Sequence, residues 1–145
     1  MPVTVKKIVL WRKEVDNQAG TLARTLEPLA RARADLRVVV GYRYPGNEAK
    51  AVIELHPVAG KKVTSAAEQA GLAASSIATL LVEGDNKPGL AHKIAQAVAD
   101  AGVNLTSLVA QALGKGFVAA VGFETEADAK KAAGLIKKAA SVQKK

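Results

Sequence analysis

The chain of 145 residues contains no cysteine, so disulfide bonds, thiolate-bound metals and cysteine nucleophiles are all excluded. Its two histidines, His56 and His92, have no second histidine or carboxylate at metal-ligand spacing, and we expect neither a metal site nor a cofactor. The sequence also lacks a Ser/His/Asp arrangement and a phosphate-binding loop of the form G-x-x-x-x-G-K-[ST]. Because no acid/base constellation stands out, we expect the protein not to be an enzyme.

Long apolar runs are missing as well. The opening segment MPVTVKKIVLW has too short an apolar run for a signal peptide, and no stretch approaches the ~20 apolar residues of a membrane span. We therefore expect a cytoplasmic protein with no membrane partner.

Acidic and aromatic residues are both scarce. The 21 basic residues outnumber the 13 acidic ones, which gives a net charge of +8 and favours anionic partners, although a solvated basic surface is the plainer interpretation. Sheets that bind RNA stack bases on aromatic side chains of their central strands. The aromatic residues here are Trp11, Tyr42, Tyr44, Phe117 and Phe123. They follow no basic-aromatic strand consensus, so nucleic-acid binding remains only the alternative function.

A seven-residue segment of the chain occurs in two similar copies. Residues 14–20 read EVDNQAG and residues 83–89 read EGDNKPG. The residues that recur 69 positions apart include Asp16 with Asp85, Asn17 with Asn86 and Gly20 with Gly89. Self-similarity at a fixed period indicates a duplicated structural unit. We therefore predict two domains, residues 1–74 and 75–145.

Each copy has the pattern strand, helix, strand, strand, helix. The predicted opening strands are residues 6–11 and 76–82, the first helices 20–32 and 89–101, the hairpin strands 35–44 with 49–56 and 104–113 with 117–124, and the second helices 63–72 and 126–140. This order predicts an α+β fold, a ferredoxin-like βαββαβ sandwich in two tandem repeats. The second copy has only SVQKK left for its fourth strand, which is absent, very short, or supplied from elsewhere, for example by Pro2–Val5.

Small units with incomplete sheets favour association. A unit of about 70 residues buries only ~60% of its unfolded surface and is marginal alone. Exposed sheet edges also need to be covered. We therefore expect a homodimer.

The second copy resembles the ACT domain, a family of amino-acid-sensing modules attached to, or acting on, enzymes of amino-acid metabolism. Residues 85–105, DNKPGLAHKIAQAVADAGVNL, are similar to the pattern of that family: an acid, Pro-Gly, an amphipathic helix, Ala-Gly, a β-branched residue and Asn. The first copy lacks both the proline and the glycine that closes the helix. The resemblance implies a small-molecule ligand, an amino acid, bound beside the strand-to-helix turn. No catalytic domain accompanies the repeats. We therefore expect a stand-alone regulatory protein that acts on another protein, such as an enzyme of amino-acid metabolism, or simply binds its ligand.

The candidate ligand-binding residues are Asp85, Asn86, Pro88, Gly89, Leu90, Asn104 and Ser107 in the second copy, and Asp16, Asn17 and Gly20 in the first. The turn leaves backbone N–H groups unsatisfied at a positive helix N-terminus, which suits a ligand carboxylate. Asp85 and Asn86 supply polar groups for a ligand ammonium, and Gly89 removes a side chain where a ligand approaches the backbone. Asn104 and Ser107 start the following strand. The alternative is that Asp-Asn before a helix is a plain cap and turn with no ligand.

Overall fold

The computed structural model describes residues 3–141. The described residues form eight strands and four helices, in the order β1 (Thr4–Ile8), β2 (Trp11–Asp16), α1 (Thr21–Arg31), β3 (Val38–Tyr44), β4 (Asn47–His56), α2 (Lys61–Gln69), β5 (Ala73–Ala74), β6 (Ala78–Asp85), α3 (Leu90–Asp100), β7 (Leu105–Leu113), β8 (Gly116–Phe123) and α4 (Glu126–Ser141).

The strands form two four-stranded antiparallel sheets, one in each of two compact units. The unit Val9–Ser76 has the strand order β3-β4-β2-β5. The other unit joins residues 3–8 to residues 77–141, and its strand order is β1-β6-β8-β7. In both sheets the strand that leads into the first helix lies in the interior of the sheet, which confirms the predicted ferredoxin-like βαββαβ fold in two repeats.

Strand β1 completes the sheet of the unit that contains Ile77. It pairs antiparallel with β6, with Thr4 opposite Glu83 and Ile8 opposite Thr79. This is the place of the fourth strand in a βαββαβ unit. The strand considered at Pro2–Val5 is therefore found at Thr4–Ile8, and Pro2 lies outside the described residues.

The N-terminal segment departs from two expectations. We predicted domains 1–74 and 75–145, whereas the residues up to Ile8 belong to the compact unit of the second repeat. The predicted opening strand at 6–11 is wrong, because β1 ends at Ile8 and β2 begins only at Trp11. Ile8 and Leu10 are both buried although the chain leaves β1 between them. The apolar run therefore looks like one continuous strand in the sequence.

The 69-residue period is confirmed by the first helix of each unit. Helices α1 and α3 begin and end 69 positions apart, and each follows a glycine with positive φ, 87° at Gly20 and 85° at Gly89. In α3 the buried residues keep the spacing of one helical face: Leu90, Ile94, Ala97 and Val98. Helix α1 buries Thr25 and Leu29, whereas Leu22, whose spacing of seven residues from Leu29 is that of one helical face, is 42% exposed.

Each unit has its own hydrophobic core. The larger core includes residues of β6, α3, β8 and α4: Leu80, Val82, Ile94, Val98, Phe117, Val121, Phe123, Ala132 and Ile136. The core of Val9–Ser76 is built from Val15, Leu29, Ile53, Leu55, Ala67 and Leu72. These cores position the strand-to-helix turn of each unit at one end of its sheet.

Candidate functional site

The first turn, Asp16–Thr21, is closed by hydrogen bonds to the β3–β4 hairpin. The backbone N–H of Asn17 donates to the carbonyl oxygen of Ala49 at 2.9 Å, and its side-chain Nδ2 donates to that of Glu48 at 2.8 Å. The N–H of Gln18 donates to the carbonyl oxygen of Asp16 at 2.9 Å. The Asn17 amide therefore holds the turn together, which is the structural role considered for this motif.

The carboxylate of Asp16 forms an ion pair that the sequence did not predict. Lys50 lies directly opposite Asp16 in the β2–β4 register, and Lys50 Nζ donates to Asp16 Oδ1 at 2.7 Å. This hydrogen bond, together with the lysine charge, lowers the pKa of Asp16 and raises that of Lys50. Both side chains are exposed. Asp16 therefore presents an ionised carboxylate next to a cation.

Gly20 is favoured at the first turn by its backbone conformation. Its φ of 87° lies in the left-handed region that favours glycine, and an added Cβ would lie 2.8 Å from Arg24 Nη1. The Arg24 guanidinium is held back over the turn by a 3.3 Å hydrogen bond from Nη2 to Thr21 Oγ1. Arg24 therefore places a second cation at the start of α1.

Two cavities, of 300 and 450 Å³, flank the first turn. They share Val15, Asp16, Gln18 and Thr21. The smaller cavity is also lined by Leu22, Tyr42 and Arg43, and the larger one by Lys13, Glu14, Arg24 and Lys50. Carboxylates, cations and the exposed apolar Leu22 thus lie around the first turn. Such groups can hold the ammonium, the carboxylate and the side chain of an amino acid.

The second turn, Asp85–Leu90, is built in the same way but differs around its carboxylate. The N–H of Asn86 donates to the carbonyl oxygen of Lys115 at 2.7 Å, and that of Leu90 to Lys87 at 3.1 Å. Asp85 lies opposite Gly116 and forms no ion pair within residues 3–141. An added Cβ at Gly89 would meet no atom within 4 Å. The second turn therefore presents an unpaired carboxylate and open space above its glycine.

The other candidate residues of the second copy have different surroundings. The side chain of Leu90 is buried in the core at 7% exposure, so only its backbone belongs to the turn. Pro88 and Asn104 are exposed. Ser107 is also exposed, and it lies opposite Gly122 on the adjacent strand β8. A Cβ added to Gly122 would lie 2.7 Å from Ser107 Oγ.

A partly buried charge pair, which the sequence did not indicate, lies in the sheet of Val9–Ser76. Arg12 on β2 is opposite Glu54 on β4, with Nε and Oε2 3.7 Å apart. Burial raises the pKa of Glu54, and the guanidinium of Arg12 partly offsets this effect. Burial is also the main cause of the raised pKa of Tyr42. Arg12 Nε is buried without a hydrogen-bond partner among the described residues.

The positions of the aromatic residues weaken the nucleic-acid alternative. Phe117 and Phe123 lie in the core, at 8% and 0% exposure, and cannot stack on a base. Trp11 is half-buried and packs against the other core. Only Tyr42 and Tyr44, both on strand β3, are exposed. Base stacking along central strands therefore lacks its aromatic side chains.

Neither a metal-binding cluster of side chains nor a membrane-spanning helix is found in the described part of the chain. Residues 3–141 contain no cluster of three or more His, Cys, Asp or Glu side chains suited to a metal ion. No helix in the same range combines the length and apolar character needed to cross a membrane.

Residues 78–141 match the sequence model of the ACT domain, and this part of the chain is an ACT domain. The match covers β6 to α4 and includes the second turn. The resemblance inferred from residues 85–105 is thereby confirmed. No curated protein sequence matches the chain.

Solved structures share the fold over nearly the whole chain. The protein BT0572 from Bacteroides thetaiotaomicron is 14% identical, with a TM-score of 0.73 over 88% of this chain and 87% of that one. The ligand-free regulatory subunit of aspartate kinase from Thermus thermophilus is 18% identical, with a TM-score of 0.64 over 96% of this chain and 97% of that one. The corresponding Thermus flavus subunit is also 18% identical, with a TM-score of 0.61 and the same coverages. The likeness therefore extends over both units.

Proposed function

We propose that the protein is a regulatory protein that binds an amino acid and acts as a stand-alone sensor of amino-acid metabolism. The observation that carries this proposal is the ACT domain at residues 78–141. Support comes from the fold of the Thermus thermophilus regulatory subunit, which matches over 97% of its own length. The protein's partner is an enzyme of amino-acid metabolism.

The strand-to-helix turns are the proposed ligand sites. At the second turn, the ligand carboxylate binds at the positive N-terminus of α3, where Gly89 leaves the backbone open. The unpaired carboxylate of Asp85 binds the ligand ammonium. Asn86 and Pro88 shape the turn. Asn104 and Ser107 are not part of this site, because Ser107 is level with Gly122 and Thr79, whereas Asp85 lies opposite Gly116 at the other end of the sheet.

The first turn offers an alternative site with a different charge pattern. Asp16 already neutralises Lys50, and two cavities flank the turn. A ligand ammonium would therefore have to compete with Lys50 for the carboxylate. We propose that the second turn binds the amino acid more tightly than the first.

Asp85→Ala is expected to weaken binding of the amino acid about tenfold or more, because a charged hydrogen bond contributes about 1.5–3 kcal/mol. The change should leave the melting temperature almost unaltered, since no side chain caps the N-terminus of α3. Isothermal titration of the best-binding amino acid and thermal unfolding would measure the two effects separately.

The matched control is Asp16→Ala, which removes the equivalent carboxylate 69 positions earlier. We expect a smaller loss of affinity there. A reversed order, with Asp16→Ala abolishing binding and Asp85→Ala leaving it intact, would show that the first turn is the functional one.

We also propose a homodimer, formed through strand β7. Both sheets have two edge strands, and three of these edges carry protective features. Strand β1 has two lysines, β5 has only two residues, and β3 carries Arg43 beside a break in its register. Strand β7, LTSLVAQAL, has nine residues without charge or proline. It exposes Leu108, Val109 and Leu113 at 37%, 50% and 81%.

The double substitution Val109→Lys with Leu113→Lys is expected to convert the dimer to a monomer of 15.0 kDa. Opposed lysines on two antiparallel copies of β7 repel each other, and edge lysines discourage strand pairing. Sedimentation equilibrium measures the mass. Val39→Lys on β3, where Val39 is 47% exposed, is the control and should leave the dimer intact. A wild-type protein that sediments as a monomer at millimolar concentration would contradict the proposal.

A further inference from the structure

The outer faces of the helices carry one groove in each unit, and the two grooves differ in charge. The groove between α1 and α2 has a volume of 660 Å³, and that between α3 and α4 a volume of 430 Å³. The larger groove is lined by Pro28, Arg31, Ala32, Lys61, Lys62, Ser65, Ala66 and Gln69. It contains three cations and no carboxylate.

The groove between α3 and α4 is mixed in charge. It is lined by His92, Lys93, Gln96, Ala97, Asp100, Leu135, Lys138 and Ala139. The carboxylate of Asp100 lies within it and accepts a 2.9 Å hydrogen bond from Gln96 Nε2. The two repeats therefore share the position of the groove but not its electrostatic character.

Two of the three cations in the groove between α1 and α2 are unpaired. Lys61 and Lys62 are exposed and form no ion pair within residues 3–141. Arg31 is paired with Glu27 at 3.1 Å, but both side chains are mostly exposed and such a pair is weak. Glu68, the only acidic residue of α2, does not line the groove. The positive potential of the groove is therefore largely uncompensated.

The surface between the cations is suited to contact with a polypeptide. Helix α2 presents Lys61, Ser65 and Gln69 at steps of four residues, so these side chains form one row along its whole length. Small and apolar residues lie beside this row: Pro28, Ala32 and Ala66. A narrow basic row next to small residues fits a helix that has acidic and small apolar side chains on the same face.

We propose that the groove between α1 and α2 is a docking surface for an acidic, helical segment of another protein. This inference rests on the proposed regulatory function, which requires a partner, and it identifies where that partner binds. Carboxylates of the segment pair with Lys61, Lys62 and Arg31, and its small apolar residues pack against Ala32 and Ala66. Charge complementarity carries the choice of an acidic occupant.

The test uses a fluorescein-labelled helical peptide of repeating Glu-Glu-Leu-Ala units, titrated with the full chain at an ionic strength of about 0.15 M. Fluorescence anisotropy should show binding to the wild-type protein. The double substitution K61E/K62E should weaken it about tenfold or more, because two attractions become repulsions. Both residues are exposed, and acidic residues in the first turn of a helix are favourable, so this variant should fold normally.

The repeat supplies a matched control. Lys130 and Lys131 occupy the equivalent positions 69 residues later, and K130E/K131E makes the same change in net charge. We expect K130E/K131E to change the affinity for the acidic peptide by at most a factor of two. A second control, an uncharged peptide of repeating Gln-Gln-Leu-Ala units, should not bind the wild-type protein. Equal weakening by both double variants would show non-specific attraction to a basic protein and would overturn the proposal. The proposal would also be overturned if a short single-stranded RNA bound the wild-type protein more tightly than the acidic peptide does, and if K61E/K62E abolished that RNA binding. No amino acid is present, so a failure here is separate from a failure of ligand binding.

Discussion

A chain that begins at Val9 is expected to lose the native structure of the unit formed by Ile77 and the following residues. Without β1, strand β6 loses its antiparallel partner from Thr79 to Glu83 and becomes an open edge. The larger core also loses Val3, which is 8% exposed, and the half-buried Val5. Ile8, which is 5% exposed, is removed as well.

The expected cost is comparable to the whole stability of a small domain. A fully buried Val or Ile side chain contributes about 1.5–3 kcal/mol, and Val3 and Ile8 alone account for about 3–6 kcal/mol. Domains are stable by only about 5–15 kcal/mol, and a unit of this size lies towards the lower end. Two-dimensional NMR of the truncated chain should show collapsed amide dispersion for the residues of β6 to α4.

A permuted chain provides the control for this truncation. The fourth strand of a βαββαβ unit ordinarily follows the second helix. Residues 3–8, moved to a short linker after Ser141, should therefore pair with β6 again and restore the spectrum. A truncated chain that keeps the wild-type melting temperature would show that β1 is dispensable. A permuted chain that stays unfolded would show that the missing strand is not the cause.

Gly122→Ala is expected to lower the free energy of unfolding by about 1–3 kcal/mol, the usual cost of overpacking. An added Cβ would lie 2.6 Å from Thr106 Oγ1 and 2.7 Å from Ser107 Oγ. Each hydroxyl could avoid the added methyl group only by rotating about χ1, and Ile77 Cγ2 would still lie 3.2 Å from that group. Gly122 is thus the residue on β8 that accommodates the irregular start of β7.

The matched control for Gly122→Ala is Gly41→Ala in strand β3. An added Cβ at Gly41 would meet no atom within 4 Å, so this change should alter stability by less than about 0.5 kcal/mol. Urea unfolding of both variants measures the difference. Ser107→Gly combined with Gly122→Ala should recover part of the loss, since it removes the contact with Ser107 Oγ. An equal effect of Gly41→Ala and Gly122→Ala would rule out the steric explanation.

The fold was predictable because the chain contains a repeat, so the residues that mark the start of a helix in one copy could be compared with those in the other. Gly20 and Gly89 are the last residues of the two motifs. Both have a positive φ, which glycine adopts readily, and each directly precedes a helix. Helix α2 was predicted less accurately, at 63–72, whereas it lies at Lys61–Gln69. It ends before Gly71, because a φ of 86° does not continue a helix. Local chemistry thus determined the type of each element better than its ends.

The sequence could not reveal contacts that depend on the pairing of distant strands. Lys50 reaches Asp16 only because β2 and β4 pair in one register, and the hydrophobic pattern does not fix that register to the residue. The division of residues 6–11 was missed for a related reason, because Ile8 and Leu10 both read as inward-facing residues of one strand. The exposure of Leu22 also depends on tertiary packing, since its helical spacing matches that of buried residues.

The proposal that the chain senses an amino acid is tested most directly by thermal unfolding in the presence of each of the twenty amino acids. A ligand that binds the folded protein at 100 times its Kd adds about 2.7 kcal/mol to the free energy of unfolding. We predict that at least one amino acid, at millimolar concentration, raises the melting temperature of the wild-type protein, and that Asp85→Ala reduces this increase. Twenty unchanged melting temperatures at that concentration would contradict an amino-acid sensor.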